Sequence, residues 1–158
     1  MTLSNYDLLK RHLAGNVQDE AELSITFPPA ISKTIGFSLV EVSESATATM
    51  EMNTDPAIHA NPMGSIHGGV LCDIADAAIG IAHWTTLKAG ESFTSIDLKI
   101  NFFRPLWKSK IKAVARAVSR GNTISYYICD IIREEDQRLI ATVSSTIMTL
   151  RGEKAKGR

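Results

Sequence analysis

The stretch that decides the fold is His67–Leu87, HGGVLCDIADAAIGIAHWTTL, near the middle of the 158-residue chain. Its apolar side chains recur at steps of three and four residues, which is the spacing of one face of an α-helix. The stretch contains no Lys, Arg or Glu, although a helix with one side in water usually carries several such residues. We therefore predict a long helix that is covered on most of its sides.

Outward from this helix, six segments alternate between apolar and polar residues, as half-buried β-strands do. Two precede the helix and four follow it, and short polar turns separate the last three. This order predicts an α+β fold in which an antiparallel sheet of about six strands packs against one long central helix. The six predicted strands are 35–42, 46–52, 92–103, 110–119, 122–134 and 138–150.

The chain is predicted to have three parts. Residues 1–30 would form an N-terminal helix and a loop leading into the domain, because leucines recur at helical spacing before a double proline. Residues 31–150 would form the main domain, with a loop at 53–65. Residues 151–158 are basic and are expected to form a disordered tail.

The composition argues against several classes of function. The 17 basic and 17 acidic side chains cancel, so we expect no nucleic-acid partner. No secretory signal is evident, and no apolar run approaches the roughly 20 residues that span a bilayer, so we expect a cytoplasmic protein without membrane association. Cys72 and Cys129 have no ligand-type spacing, so they are expected to be reduced, packed thiols, and no metal site is predicted.

Asp76 is the leading candidate for chemistry. On a helical wheel it belongs to a stripe of small and polar residues opposite the main apolar face. A carboxylate on a covered helix is desolvated, which raises its pKa and strengthens it as a base. These residues alone equally allow Asp73 and Asp76 to be caps or salt-bridge partners at a rim. The full stripe is Gly69, Asp73, Asp76, Gly80 and His83.

The junction between loop and helix, NPMGSIHGG at 61–69, supplies a second chemical element. Amides at a helix start have no partner within the helix and can stabilise a developing oxyanion. Gly68 would permit close approach of a ligand. Asp76 follows two turns later, which places it near enough for a reacting carbonyl carbon to lie between amide and carboxylate.

With these residues identified, the sequence resembles the hotdog-fold acyl-CoA thioesterases, specifically the phenylacetyl-CoA (PaaI-like) branch. The resemblance covers about residues 35–150, with its motifs in order and at compatible spacing. It implies a hotdog fold in which the sheet wraps the helix, subunits join their sheets edge to edge, and active sites lie at the subunit interface. The matching motifs are Asn61 with Gly64, His67-Gly68-Gly69, Ala75-Asp76, Thr94–Asp97 and Phe103-Arg104-Pro105.

The resemblance also implies an activity, the hydrolysis of an acyl-CoA to a free acid and CoA without a cofactor. Asp76 would be the general base or nucleophile, and the Gly68 amide would polarise the thioester carbonyl. Asn61, His67 and Ser95 would hold the junction or orient water. Each of these three residues also has a structural alternative. Asn61 could form a turn, His67 could fix the start of the helix, and Ser95 could be an ordinary hydroxyl of a strand.

Substrate contacts are less well specified by the sequence. CoA carries phosphates, so basic side chains should line its groove. We take Gly69, Arg104 and Arg120 as substrate-binding candidates, and expect a homo-oligomer, either a dimer or a dimer of dimers (a homotetramer). The acyl group stays open between aryl-acetyl and medium-chain. Met50, Met52, Ile79, Trp84 and Phe93 are predicted either to line an apolar acyl pocket or to belong to the core.

Two alternative functions remain. A hydratase or dehydratase in the related family pairs Asp with a His five residues later on the same helix. That position is Ile81 here, so the reading is disfavoured. A non-catalytic acyl-CoA binding module is the other alternative.

Overall fold

One antiparallel sheet and one long helix dominate the structure, a computed structural model that describes residues 3–16 and 25–156. Predicted features at residues 1–2, 17–24 and 157–158 lie outside the described residues. The helices are α1 (Asn5–Leu13), α2 (Ala30–Ile35), α3 (Pro56–His59) and α4 (Gly68–Trp84). The strands are β1 (Phe37–Ser43), β2 (Thr47–Thr54), β3 (Ser92–Ser95), β4 (Lys99–Phe102), β5 (Ser109–Arg120), β6 (Ile124–Arg133) and β7 (Arg138–Leu150).

The sheet has the strand order β1-β2-β5-β6-β7-β3, with β4 also paired to β7. The β5-β6-β7 meander follows the predicted order, and the α+β, hotdog-type architecture is confirmed. The described residues form seven strands rather than the six predicted, because the predicted strand 92–103 is split. Asp97 causes the split: its carboxylate accepts a hydrogen bond from the Thr146 amide (2.9 Å) and its carbonyl accepts one from the Ser145 hydroxyl (2.7 Å).

The core lies between α4 and one face of the sheet. Leu71, Ile74 and Ile79 of α4 are almost fully buried, and each such side chain stabilises the fold by about 1.5–3 kcal/mol. The predicted alternation of β2 is confirmed, because Ala48, Met50 and Met52 are all buried. Met52 and Ile79 therefore belong to the core.

Two short helices were missed by the sequence analysis. The segment α2 precedes β1 and ends at Gly36, whose φ of 93° lies in the left-handed region, so Ile35 is helical rather than the first strand residue. The segment α3 interrupts the predicted loop, with the Asp55 carboxylate accepting a hydrogen bond from the Ala57 amide (2.9 Å). Helices this short carry no measurable periodicity.

The helix α1 and the segment after β7 are both tied to the main domain. Leu9 of α1 is completely buried in the common core. The Asn5 side chain donates hydrogen bonds to the carbonyls of Trp84 (2.9 Å), the last residue of α4, and Leu87 (3.4 Å). At the other end, the Arg151 guanidinium pairs with Glu91 (2.6 Å). A 3-10 helix follows at Gly152–Ala155, so this part of the predicted tail has ordered structure.

The free edge of the sheet beside β4 is apolar. The side chains of Ile96 and Phe102 are 53% and 54% exposed, and Leu98, Phe103 and Trp107 are also exposed. The alternating pattern of this segment predicts that Ile96, Leu98, Ile100 and Phe102 share one face. Ile100 packs against the core, whereas the other three are exposed. Exposed large apolar side chains along one edge of a sheet are typical of an interaction surface. Among the described helices, none has the length and apolar character needed to cross a membrane.

Candidate active site

The start of α4 is fixed by His67. Its Nδ1 accepts a hydrogen bond from the Gly69 amide (2.9 Å), so the imidazole serves as the N-cap. The His67 amide itself donates to the carbonyl of His59 (2.8 Å), and the neighbouring Ile66 amide donates to the carbonyl of Leu106 (2.8 Å). Because the cap uses the Gly69 amide, Gly69 is not a free donor for a substrate.

The Gly68 amide occupies the first position of α4. Within residues 3–16 and 25–156, no hydrogen-bond acceptor is recorded for it, and the helix dipole favours negative charge at this end. The Phe102 ring lies directly over this residue, since a Cβ added at Gly68 would come within 2.7 Å of a ring carbon. A glycine here therefore lets the aromatic ring approach the backbone beside an unpaired amide.

Asn61 holds the loop that precedes α4. Its Nδ2 donates to the Ser65 hydroxyl (2.9 Å), and its Oδ1 accepts from the Met63 amide (2.9 Å). Asn61 and Gly68 line a cleft of about 380 Å³ together with Arg104, whose guanidinium donates to the carbonyl of Leu139 (2.7 Å). Three of the predicted site residues thus share one cleft.

Asp76 and Ser95 meet at a different position. The Ser95 hydroxyl donates to the Asp76 carboxylate across 3.2 Å, which joins α4 to the end of β3. In the single chain the residue Asp76 is exposed on one side, yet burial raises the pKa of its carboxyl group. The Ser95 hydrogen bond opposes this by lowering the pKa, and the nearby Asp73 charge raises it. The carboxylate is therefore partly desolvated at the mouth of a cavity.

That cavity has a volume of about 230 Å³ and is almost entirely apolar. Asp76 and Ser95 are the polar residues at its wall, while Trp84, Phe93 and Met50 belong to its apolar lining. These three were among the residues predicted either to line a pocket or to belong to the core. The remaining lining residues are Ile25, Phe27, Pro29, Ala77, Gly80 and Ile81.

Gly68 and Asp76 open onto separate cavities of the single chain. They lie eight residues apart on one helix, which corresponds to about 12 Å along its axis. A carbonyl group cannot contact two points at that separation. The expectation drawn from spacing alone, that Asp76 lies near enough to the Gly68 amide of its own helix to share a carbonyl group with it, is therefore inconsistent with the structure. A site at the subunit interface, which the resemblance implies, stays a prediction.

Arg120 lies apart from both cavities. It lines a third, polar cavity of about 370 Å³ beyond the C-terminal end of α4, with His83 and Arg151. Burial lowers the pKa of His83 to about 4, and the positive charge of Arg120 contributes to that shift. The His83 ring is neutral near pH 7, with its two nitrogens 3.1 Å and 3.0 Å from the hydroxyls of Tyr127 and Thr149. His83 is thus committed to internal bonds.

Other candidate groups have structural surroundings. Both ring nitrogens of His59 are bonded within the fold, to the carbonyl of Ile35 (2.9 Å) and the amide of Asp55 (3.0 Å). Cys129 is buried, as predicted for a packed thiol, whereas Cys72 is only half-buried. Among the described residues, no three His, Cys, Asp or Glu side chains are grouped closely enough to hold a metal ion.

The sequence analysis missed two contributors to the site. Phe102 covers Gly68, and its position in an alternating strand gave no sign of that contact. Phe27 lines the apolar cavity from the loop before α2, where the double proline was the only visible signal. Gly80 belonged to the predicted stripe as a small residue that would let a ligand or a second chain approach Asp76, and it lines the apolar cavity.

Residues 63–140 match the family model of the thioesterase superfamily. Over this stretch the chain is similar to that superfamily. A medium/long-chain acyl-CoA thioesterase of Salmonella typhimurium, YigI, is 28% identical over 131 residues, which cover 74% of this chain and 83% of that protein. A Haemophilus influenzae protein provisionally named an esterase is 30% identical over 76 residues, which cover 48% of this chain and 55% of that protein.

A solved structure confirms the fold of this chain. The Escherichia coli PaaI protein, from the phenylacetic acid degradation operon, superposes with a TM-score of 0.71 at 23% identity. The match covers 79% of this chain and 87% of PaaI. The predicted resemblance to the hotdog thioesterases is thus confirmed, and the superfamily's name agrees with the predicted class of thioester hydrolase.

Proposed function

We propose that this protein hydrolyses an acyl-CoA thioester to a free carboxylic acid and CoA. The observation that carries the proposal is the Asp76 carboxylate, partly desolvated and bonded to Ser95 where an almost wholly apolar cavity opens. An acyl group fits the chemistry of such a cavity, and a carboxylate at its mouth lies where the thioester carbon would be. The relative YigI, a medium/long-chain acyl-CoA thioesterase by name, supports the same class of substrate.

The active site is proposed to form between two copies of the chain. If their α4 helices pack antiparallel, the Gly68 amide of one copy comes opposite Asp76 of the other. This arrangement removes the conflict of about 12 Å between these groups in a single chain. It also covers the apolar edge around Phe102, which adjoins Gly68. A dimer, or a dimer of dimers, is therefore part of the proposal.

The reaction then needs only water and these groups. Asp76 either removes a proton from an attacking water or attacks the thioester carbon to give a mixed anhydride that water hydrolyses. In both routes the carbonyl oxygen becomes negative and the Gly68 amide donates to it. The C–S bond breaks, the acid is released, and the CoA thiolate takes up a proton. Arg104, in the same cleft as Gly68, is the better placed candidate for a CoA phosphate, and Arg120 is more distant.

The role of Asp76 is tested by thiol release from a panel of acyl-CoAs. We expect Asp76→Ala to lower kcat by about a thousandfold or more, as removal of a principal catalytic group does. An unchanged kcat would refute the role of Asp76. Tight acyl-CoA binding by the wild-type protein without turnover would instead indicate a binding module.

The role of the Gly68 amide is tested by a matched pair of variants. Proline is tolerated at the first position of a helix but has no N–H, so Gly68→Pro removes the proposed donor. Gly68→Ala keeps the N–H while displacing the Phe102 ring to a similar extent. We expect Gly68→Pro to have a kcat about a hundredfold below that of Gly68→Ala, the cost of one oxyanion donor. Equal kcat values for the two variants would exclude this amide as the donor.

A further inference from the structure

The apolar cavity beside Asp76 has an elongated course along α4. Its helical lining comes from positions 76, 77, 80, 81 and 84, which form one continuous face. Eight residues separate its first and last positions, a span of about 12 Å along the helix axis. Trp84, almost fully buried, lines its far end. The cavity therefore leads away from the carboxylate as a channel rather than spreading around it.

The Phe93 ring packs over Gly80 in the wall of this channel. A Cβ added at Gly80 would lie 3.4 Å from the nearest atom of that ring, so an alanine there would be in van der Waals contact with it. A larger side chain at position 80 would push the Phe93 ring aside, one turn beyond Asp76. Because both residues line the channel, this displacement would narrow it between the carboxylate and Trp84.

The opposite side of the channel is built by the segment before α2. Phe27 and Pro29 line it there, and both also line a second cavity of about 270 Å³ on their other side. Met50 of β2 is shared by the two cavities as well. Phe27, Pro29 and Met50 therefore form a partition that separates the channel from a further space under α1.

We propose that this channel binds the acyl group of the substrate as an extended, medium-length chain whose length limit is set by Gly80, Trp84 and the partition. The proposal rests on the thioesterase function proposed above. An extended chain advances about 1.2 Å per bond, so about 12 Å holds roughly ten bonds, or an acyl group of about eight to ten carbons. The volume of about 230 Å³ exceeds the roughly 150 Å³ of an apolar cavity that accepts benzene.

The first test is the chain-length profile of the wild-type protein, measured by thiol release with saturated acyl-CoAs from two to sixteen carbons. We expect kcat/KM to rise with length up to about eight to ten carbons and then to fall or level off. A profile that is flat, or that rises steadily to sixteen carbons, overturns the channel while leaving the thioesterase function standing. No turnover of any acyl-CoA would instead overturn the thioesterase function itself.

The second test narrows the channel. Gly80→Val should lower kcat/KM for octanoyl-CoA at least tenfold and change that for acetyl-CoA less than threefold, because only the longer chain passes position 80. Gly80→Ala should give the same selectivity in weaker form and serves if the valine variant does not fold. Val118→Ile, on an exposed part of β5 outside the channel, is the control. An equal loss for both substrates overturns the proposal.

The third test opens the partition. Phe27→Ala joins the two cavities, so the ratio of kcat/KM for tetradecanoyl-CoA to that for octanoyl-CoA should increase about tenfold. Since Phe27 is buried, its loss also destabilises the fold, but lower stability alone does not change a ratio between two substrates. A ratio equal to that of the wild-type protein overturns the role of the partition.

Discussion

At the residue scale, the contact between Ser95 and Asp76 predicts a pH dependence. Asp76 must be ionised to act as base or nucleophile, so activity falls as the pH drops through its pKa. Burial raises this pKa and the Ser95 hydroxyl lowers it. Ser95→Ala therefore raises the pKa further, and the acid limb of the kcat/KM profile should move to higher pH. On that limb we expect at least about a threefold loss, because a hydrogen bond to a charged group is worth roughly 1 kcal/mol or more.

Thr94→Val provides the matched control for this experiment. The Thr94 hydroxyl precedes Ser95 on the same strand and contacts the Ser95 carbonyl rather than Asp76. Its removal should leave the pH profile of kcat/KM where the wild-type protein has it. If Ser95→Ala and the wild-type protein have superimposable acid limbs, Ser95 does not tune Asp76.

The site residues that could be predicted from the sequence were those whose neighbours along the chain form a recognisable pattern. Asp76 and Gly68 stood out because a long helix without Lys, Arg or Glu began at a glycine pair. Phe102 and Phe27 could not be identified, because their contacts with the site come from chain folding over long separations. The distant position of Arg120 was equally invisible, since nothing along the sequence relates the end of β5 to the end of α4.

At the element scale, the N-cap of α4 allows a test of the two roles predicted for His67. These are a structural role at the start of the helix and a direct role in the active site. His67→Ala removes the cap on the Gly69 amide, which should cost about 1 kcal/mol of stability and lower kcat about fivefold by loosening the Gly68 position. His67→Asn supplies another good N-cap and should restore both. The measurements are urea unfolding and thiol release. A variant His67→Asn that recovers stability but not kcat would assign His67 a direct contact with substrate.

The helices and strands that could be predicted well were those with a long periodic pattern of apolar residues. The helix α4 and the strands β5 to β7 lie within a few residues of the predicted ranges, because each carries several periods of its pattern. The break between β3 and β4 was not predictable, since Asp97 makes it by bonding to Ser145 and Thr146, some fifty residues later in the chain. Long-range hydrogen bonds made by a single residue do not change the alternation of apolar and polar residues in the sequence.

At the scale of the whole molecule, two features of the single chain support the proposed dimer. Its β4 edge exposes a cluster of large apolar side chains, including Ile96, Phe102 and Trp107, that one chain leaves in water. Its unpaired Gly68 amide and its Asp76 carboxylate open onto different cavities. One symmetric contact between two copies would resolve both, because a two-fold axis produces two equivalent shared sites.

A mixed dimer tests this arrangement directly. One copy carries Asp76→Ala and the other Gly68→Pro, and the heterodimer is isolated with two different affinity tags. If each site takes its carboxylate from one copy and its amide from the other, one site contains both defects and the other is intact. The heterodimer should then recover about half of the wild-type kcat per dimer, although each parent homodimer is nearly inactive.

The control is a heterodimer of Asp76→Ala with Asp76→Asn, in which both sites lack the carboxylate and no recovery is expected. If the mixed dimer of Asp76→Ala with Gly68→Pro stays as inactive as its parents, the two groups act within one chain or not together at all. Recovery specific to the complementary pair requires that the carboxylate and the amide of a working site come from different copies. A site built within one chain cannot give this recovery of activity, because every site that a parent chain forms alone contains that parent's defective group.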